Sequence, residues 1–340
     1  MQHYSEDMGK QRRIRVMGII NLTDNSYYAA SRHLDTKGRP MLKQVEADMA
    51  RMLEEGADII DIGACSTRPG AAAVGAKEEW RRLESVLPLI AERFPDICIS
   101  IDTYWSEVAL KAAAVIKAEN LIINDISAGA RDPQMLEAVA GAGLGYIAMH
   151  SHGETTDKLD YPGGVTACVK RYFEDFALKA EAAGLRDWVL DPGFGFNKSV
   201  EENWELLRGM SSLKGSYGGR PREILVGISR KSMLYKPLGI TPEEALPATC
   251  EAHRLALEEG ADILRVHDVA AAVGVIDEYL GKQFREDSQK NSLSLLRHRR
   301  RLREPRRGTA PAQTFQGCRD LTSAAGSGAL FLPCADGTRV

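Results

Sequence analysis

The sequence predicts a (β/α)8 TIM barrel followed by a disordered or irregular C-terminal tail, and three observations carry that expectation. Short apolar runs rich in β-branched residues alternate with amphipathic helical stretches throughout residues 14–280. Eight such runs fall in that span, the arithmetic of a barrel of about 250 residues. The segments EEGADIIDIG (54–63) and EEGADILRVHD (258–268) repeat one module of helix end, glycine and strand at the second and eighth units. A doubly wound sheet is the alternative architecture, but no GxGxxG turn follows the first run, VMGIINL.

In chain order, strands are expected at Arg15–Asn21, Ile59–Gly63, Ile97–Asp102, Leu121–Asp125, Gly145–His150, Trp188–Asp191, Ile224–Ile228 and Ile263–His267. Each reads as a near-continuous apolar run because a barrel strand is buried on both faces. Between them, a helix is expected over 77–94, where Trp80, Leu83, Leu87, Ile90 and Phe94 recur at spacings of three and four, and another over 243–259. Gly56 and Gly260 are placed to cap the helices that precede the second and eighth strands. After about Lys282 the periodicity ends. RHRRRLREPRR (297–307) gives way to a stretch rich in Gly, Ala, Ser, Thr and Pro, the composition of a disordered segment. The expected organisation is an N-terminal extension (1–13), a barrel (14–282) and a tail (283–340). The tail is either a binding segment for nucleic acid or an acidic surface, or a dispensable extension.

Composition excludes several classes. With 44% apolar residues in 340, a substantial core is expected. No apolar run is long enough to cross a membrane, and MQHYSEDMGKQRR lacks the apolar block of a secretory signal. Six cysteines without a CxxC pair argue against a zinc site or disulfide framework and point to the cytoplasm. From Arg297 onward nine arginines face three acids, so the rest of the chain is more acidic than the net charge of −3. An acidic body does not suit nucleic acid, and its basic residues must be judged singly.

In a barrel the active site forms at the C-terminal ends of the strands. Those ends carry Asn21, Asp61, Asp102, Asn124 with Asp125, His150, Asp191, Arg230 with Lys231, and Arg265 with His267. Polar residues there often only cap or face solvent. All eight ends carrying one points to a site. Asp102, Asn124 and Asp191 suit the edge of a polar heterocycle, whereas Arg68, Arg265 and His267 offer donors to phosphate oxygens. The loop STRPG (66–70) presents Arg68 among small residues, and LDPGFGFNK (190–198) places Phe194 and Phe196 where one of them can cover a ring.

The motifs MGIINLTDNSYY, DIGACSTRPGA, SIDTYWSEVA, INDISAG, MH, LDPGFGFNK, VGISRKSM and RVHDV stand in the order found in the dihydropteroate synthases, which residues 14–280 resemble. The resemblance implies a usually dimeric barrel of folate synthesis, a transferase joining 6-hydroxymethyl-7,8-dihydropterin diphosphate to 4-aminobenzoate with release of pyrophosphate. It also implies Mg²⁺ and competition by sulfonamides. By motif, Asp102, Asn124, Asp191 and Lys231 would bind the pterin. Asn21 would hold Mg²⁺ and the diphosphate, with Arg68, Arg265 and His267 on the phosphates. Tyr27, Thr67, Pro69, Phe196 and Ser232 would surround the aminobenzoate. Arg68, Lys231, Arg265 and His267 would carry the chemistry: charge builds on the departing diphosphate while the pterin methylene becomes cation-like and the arylamine attacks it. Arg230 either lines the aminobenzoate entrance or faces solvent.

Two departures from the family pattern stand out. Asp24 and Asn25 replace Pro-Asp in the first loop, and Ala64 and Cys65 replace Gly-Glu in the second. Altered aminobenzoate or sulfonamide affinity is expected. Two rival readings are a pterin-binding methyltransferase acting between methyltetrahydrofolate and a corrinoid protein, and a non-catalytic barrel with a binding tail. The first has no use for the phosphate donors Arg68, Arg265 and His267. The second predicts decay of the strand-end polar set, which is intact.

Overall fold

The computed structural model describes residues 14–23, 33–64, 75–152 and 159–285. The extension, the tail from 286 and the residues Asp24, Asn25, Tyr27, Cys65, Thr67, Arg68 and Pro69 lie outside them. Eight parallel strands form the core: β1 Arg15–Asn21, β2 Ile59–Gly63, β3 Cys98–Asp102, β4 Leu121–Asp125, β5 Gly145–Met149, β6 Trp188–Asp191, β9 Leu225–Val226 and β10 Ile263–Val266. Their order is β6-β5-β4-β3-β2-β1-β10-β9. A parallel bridge from Leu190 to Ile224, with the Leu190 N–H donating to the Glu223 carbonyl, joins the two ends and makes a nearly closed barrel. A short hairpin, β7 Ser216–Tyr217 with β8 Arg220–Pro221, lies between the sixth and seventh barrel strands, and helices α1 Leu42–Glu54, α4 Ser106–Ala113, α5 Met135–Ala142 and α6 Val165–Ala182 follow β1, β3, β4 and β5.

Strand bounds follow the sequence expectation to within about a residue, except that β9 is shorter, with Ile224 in an isolated bridge and Gly227 and Ile228 outside the ladder. The helix expected over 77–94 is two helices, α2 Ala76–Leu83 and α3 Val86–Arg93. Pro88 supplies the reason. It has no N–H for the carbonyl of Glu84, and its ring crowds that carbonyl, so one continuous helix cannot pass. The expected apolar face survives the break, with Leu83, Leu87 and Ile90 fully buried. The helix expected over 243–259 is observed as α9 Leu246–Glu258, opened by Pro247. Gly56 and Gly260 both take positive φ, +102° and +99°, and turn the chain into β2 and β10 as the internal repeat requires.

The barrel interior has two zones. At its base, Met17, Ile59, Ile122, Ile147, Leu225 and Ile263, with Cys98 and Val189, form one apolar cluster to which every barrel strand contributes a side chain. Two residues further along, the inward position becomes polar on five of the eight strands, at Asp61, Ser100, Asn124, Asp191 and Arg265, and is Ile19, Met149 and Gly227 on the other three. The larger cluster packs the outer strand faces against the helices. No helix among the described residues is long and apolar enough to cross a membrane.

Candidate active site

Strand alternation decides which polar end residues reach the mouth. On β4, Ile122 joins the inner cluster, so Asn124 also points inward and Asp125 outward. Asp125 is wholly buried there, accepting from the Tyr146 hydroxyl at 2.7 Å, the Ser127 N–H and hydroxyl at 2.7 Å each, and the Gly129 N–H at 2.8 Å. It builds the turn after β4 and takes no part in the mouth.

Inside the mouth a carboxylate and guanidinium network replaces the apolar packing of the base. Arg265 donates to Asp61 through Nε at 2.7 Å and to Asp102 through Nη2 at 3.1 Å. Asp61 is fully buried, and the Asn124 amide lies at 3.4 Å from the same oxygen that Arg265 engages. Asp102, Asn124 and Asp191 are 8%, 3% and 6% exposed. Burial raises the pKa of Asp102, with Arg265 opposing and Asp61 adding to the rise, and burial also raises Asp191 against the pull of Lys231. Gly63 opens the β1–β3 corner of this zone. A Cβ there would stand 3.5 Å from the Asn21 Oδ1 and 3.7 Å from the Asp102 Oδ2, so the missing side chain leaves room beside both oxygens.

The turn after β6 carries the aromatic contribution. Asp191 accepts from the Gly193 N–H at 2.8 Å, which bends the chain directly behind the strand. Phe194 is fully buried in the outer core, whereas Phe196 packs against Tyr104, Ile126 and Met149 at the mouth. Lys231 donates to the Phe194 carbonyl and holds its Nζ 4.7 Å from the centre of the Phe196 ring. Burial pushes the Lys231 pKa down to about 8, and the Asp191 charge opposes that fall. Ser232, next in sequence, begins the short helix α8 Ser232–Tyr235.

The adjacent cations of VGISRKSM have opposite fates. Arg230 is 7% exposed in the left-handed region at φ +54°. It grips Asp268 with Nε at 2.8 Å and Nη2 at 2.9 Å, and donates Nη1 to the carbonyls of Pro242 and Glu243 at 2.8 and 2.7 Å. Neither alternative raised for it, the aminobenzoate entrance or open solvent, describes that position; it ties the loop after β9 to the loop after β10. His267 lies within 3.1 Å of the Ser229 hydroxyl through Nδ1. Burial, aided by Arg265, lowers its pKa to about 4, so the ring is neutral at physiological pH.

Of the expected site residues, Asp102, Asn124, Asp191, Lys231, Arg265 and Phe196 come together around the mouth, Asn21 borders the gap at Gly63, and His267 and Ser232 follow β10 and β9. Tyr27, Thr67, Arg68 and Pro69 are outside the described residues. Three further residues take part, of which the sequence named only Asp61, as a strand end without a role. Arg82 donates to the carbonyls of Ala64 at 2.9 Å and Leu22 at 3.4 Å, tying together the starts of both site loops. Asp61 anchors Arg265. Lys198, quoted only as part of a motif, reaches under the turn after β6.

A pterin binding enzyme family profile matches residues 17–267. The dihydropteroate synthase of Escherichia coli K12 is 38% identical over 263 residues, covering 76% of this chain and 88% of that protein. The Yersinia pestis dihydropteroate synthase, solved in complex with a sulfonamide drug, superposes with a TM-score of 0.72 at 34% identity, covering 80% of this chain and 94% of that one. The Burkholderia cenocepacia dihydropteroate synthase, solved with 7,8-dihydropteroate, gives 0.69 at 33% identity, covering 82% and 94%. The chain belongs to the pterin-binding enzyme family, among its dihydropteroate synthases.

Proposed function

We propose that the mouth performs the family's condensation of 6-hydroxymethyl-7,8-dihydropterin diphosphate with 4-aminobenzoate in a defined arrangement, with Asp102, Asn124, Asp191 and Lys231 on the pterin. One observation carries this arrangement: two carboxylates and an amide, almost wholly buried, converge with Lys231 and Arg265 at one barrel end. Burial without enough donors is what raises Asp102 and Asp191. A heterocycle bringing N–H groups to them supplies the missing hydrogen bonds and favours their charged forms. Lys231 then donates to an acceptor on the pterin edge. Asn124 both donates and accepts, which fixes the ring's orientation.

The diphosphate is assigned to Arg68, Arg265 and His267. Neutral His267 serves as a hydrogen-bond donor, and Arg265, anchored on Asp61 and Asp102, stands where pterin and diphosphate meet. Magnesium fits the residues present. Asn21 offers a neutral side-chain oxygen beside the gap at Gly63, and no group of three or more His, Cys, Asp or Glu suited to a metal exists among the described residues. A hard cation that takes one protein oxygen and fills its other positions with phosphate and water matches that donor set. When bound, it would neutralise charge on the departing pyrophosphate. Tyr27, Thr67, Pro69, Phe196 and Ser232 surround the aminobenzoate, whose neutral amine needs no strong base, and sulfonamides compete there. A homodimer in the cytoplasm completes the reading; the unpaired Cys98, Cys168 and Cys250 suit a reducing compartment, and Phe284, 69% exposed on the helix over 269–285, is an apolar contact point.

The two cations of VGISRKSM give the test. Lys231→Ala should weaken binding of the pterin diphosphate about tenfold or more, the worth of a hydrogen bond from a charged donor. Arg230→Ala should lower the melting temperature while pterin affinity stays near wild type. Calorimetric titration of both variants checks this, and equal loss of affinity in the two overturns the division.

A further inference from the structure

Lys198 has no place in the reaction outlined above, yet its ammonium is enclosed by the β6 turn. Its Nζ lies 3.0 Å from the His150 Nδ1, and it donates to the Gly193 carbonyl at 2.9 Å and the Phe196 carbonyl at 3.1 Å. Three acceptors match the three protons of an ammonium. His150 is 1% exposed and wedged edge-on against His152 and Tyr172. Burial, with Lys198 adding to it, lowers the His150 pKa to about 2. The ring is therefore neutral, and accepting through Nδ1 places its own proton on Nε2.

The turn these bonds hold is one that only glycine permits. Gly193 has φ +70° and a Cβ there would collide with the His150 carbonyl oxygen; Gly195 has φ +80° and a Cβ there would stand 3.0 Å from the Lys231 Cδ. The backbone of 193–196 is thus squeezed between His150 with Lys198 on one side and Lys231 on the other. The Phe194 carbonyl faces Lys231, and the Phe196 carbonyl faces Lys198. Asn203 secures the same turn from α7 Val200–Arg208, accepting from the Gly195 N–H at 2.7 Å.

We propose that Lys198 is a positioning residue for both substrates: by clamping the Gly193–Phe196 turn onto His150 at the end of β5, it sets the Phe194 carbonyl that orients Lys231 and the Phe196 ring that faces the aminobenzoate. The inference rests on the roles given above to Lys231 and Phe196. It accounts for a lysine standing where its charge is costly. Burial drives its pKa down to about 7, Lys231 pushes the same way, and Asp191 and Glu202 oppose them. A residue needed only to fill space would carry no charge.

The test is the steady-state kinetics of Lys198→Met, which keeps the chain length and removes the donors, against wild type in a pyrophosphate-release assay. Misplacing both contacts should raise the KM for 4-aminobenzoate and for the pterin diphosphate, each on the order of tenfold. A purely structural lysine would lower the melting temperature and the amount of active enzyme but leave both KM values alone. Should Lys198→Met fail to fold, Lys198→Gln, which retains an N–H donor for the two carbonyls, carries the same comparison with a smaller expected rise. Unchanged KM values for both substrates in a folded variant overturn the proposal. A wild-type protein that releases no pyrophosphate overturns instead the reading on which it rests.

Discussion

The two ends of the barrel are built from the same strands and share the same inward side-chain row, yet they solve opposite problems. At the base, eight strands each send one side chain into a single apolar cluster, and nothing there asks for a partner. At the mouth, two residues further on, five of the eight inward positions are polar, and among them Asp61, Asn124, Asp191 and Arg265 are costly to bury unless each finds a hydrogen bond or a counter-charge. Protein partners meet only part of that demand. Arg265 divides itself between Asp61 and Asp102, and burial still raises Asp102 and Asp191. The base stabilises the fold, and the mouth keeps an incompletely satisfied polar surface for a substrate to complete.

The sharpest way to break this contrast is to strip the anchor from the mouth. Asp61→Ala leaves Arg265 with Asp102 alone. Loss of one member of a buried pair should cost about 3 kcal/mol of stability, and the freed guanidinium should draw Asp102 away from the pterin. A fall of roughly a hundredfold in kcat/KM for the pterin diphosphate is expected, the scale of a misplaced reacting group. Denaturant unfolding together with initial rates checks both halves, and activity within twofold of wild type contradicts the anchoring role.

At the base the converse should hold. Ile147→Ala removes a fully buried side chain from the inner cluster and should cost about 3 kcal/mol. Both KM values should stay near wild type, and a large rise in either would show that the two zones are not separable.

A pH-dependent effect is expected behind the mouth, at Glu79 on α2. It is fully buried, and burial raises its pKa to about 8 against the opposing pull of the nearby Thr103 hydroxyl. The folded state therefore keeps this proton over a range in which the unfolded chain, with an ordinary carboxylate pKa near 4.5, has released it. Its contribution is whole below that lower value and is lost as pH rises toward 8. Glu79→Gln removes the dependence, so the variant should gain roughly 3 to 4 kcal/mol on wild type between pH 5 and pH 8. Melting temperatures at the two values decide it; parallel pH profiles would mean that Glu79 titrates normally.

What the sequence disclosed divides along the same line. The barrel was legible because apolar runs and helical periodicity are local signals, and the mouth residues were legible because strand ends are where a barrel places its site. Facing within a strand end was less so. Asn124 and Asp125 are neighbours with similar chemistry, and only alternation from Ile122 separates a mouth residue from a turn builder. The pair Arg230 and Lys231 posed the same difficulty, resolved by a positive φ at Arg230 that turns its side chain onto Asp268. Helix α2 ended early because one proline outweighed an unbroken apolar stripe. Asp61, Arg82 and Lys198 each reach a partner far along the chain, Arg265 at 204 residues from Asp61, Leu22 at 60 from Arg82 and His150 at 48 from Lys198, and no spacing rule reports such contacts.

The most direct measurement of the central claim is pyrophosphate release by the purified chain supplied with 6-hydroxymethyl-7,8-dihydropterin diphosphate, 4-aminobenzoate and Mg²⁺, with Asp191→Asn run alongside. The account predicts pyrophosphate and 7,8-dihydropteroate in equal amounts from the wild type and a steep loss in the variant. Release no greater than background from the folded wild type, or equal turnover by both proteins, would contradict it.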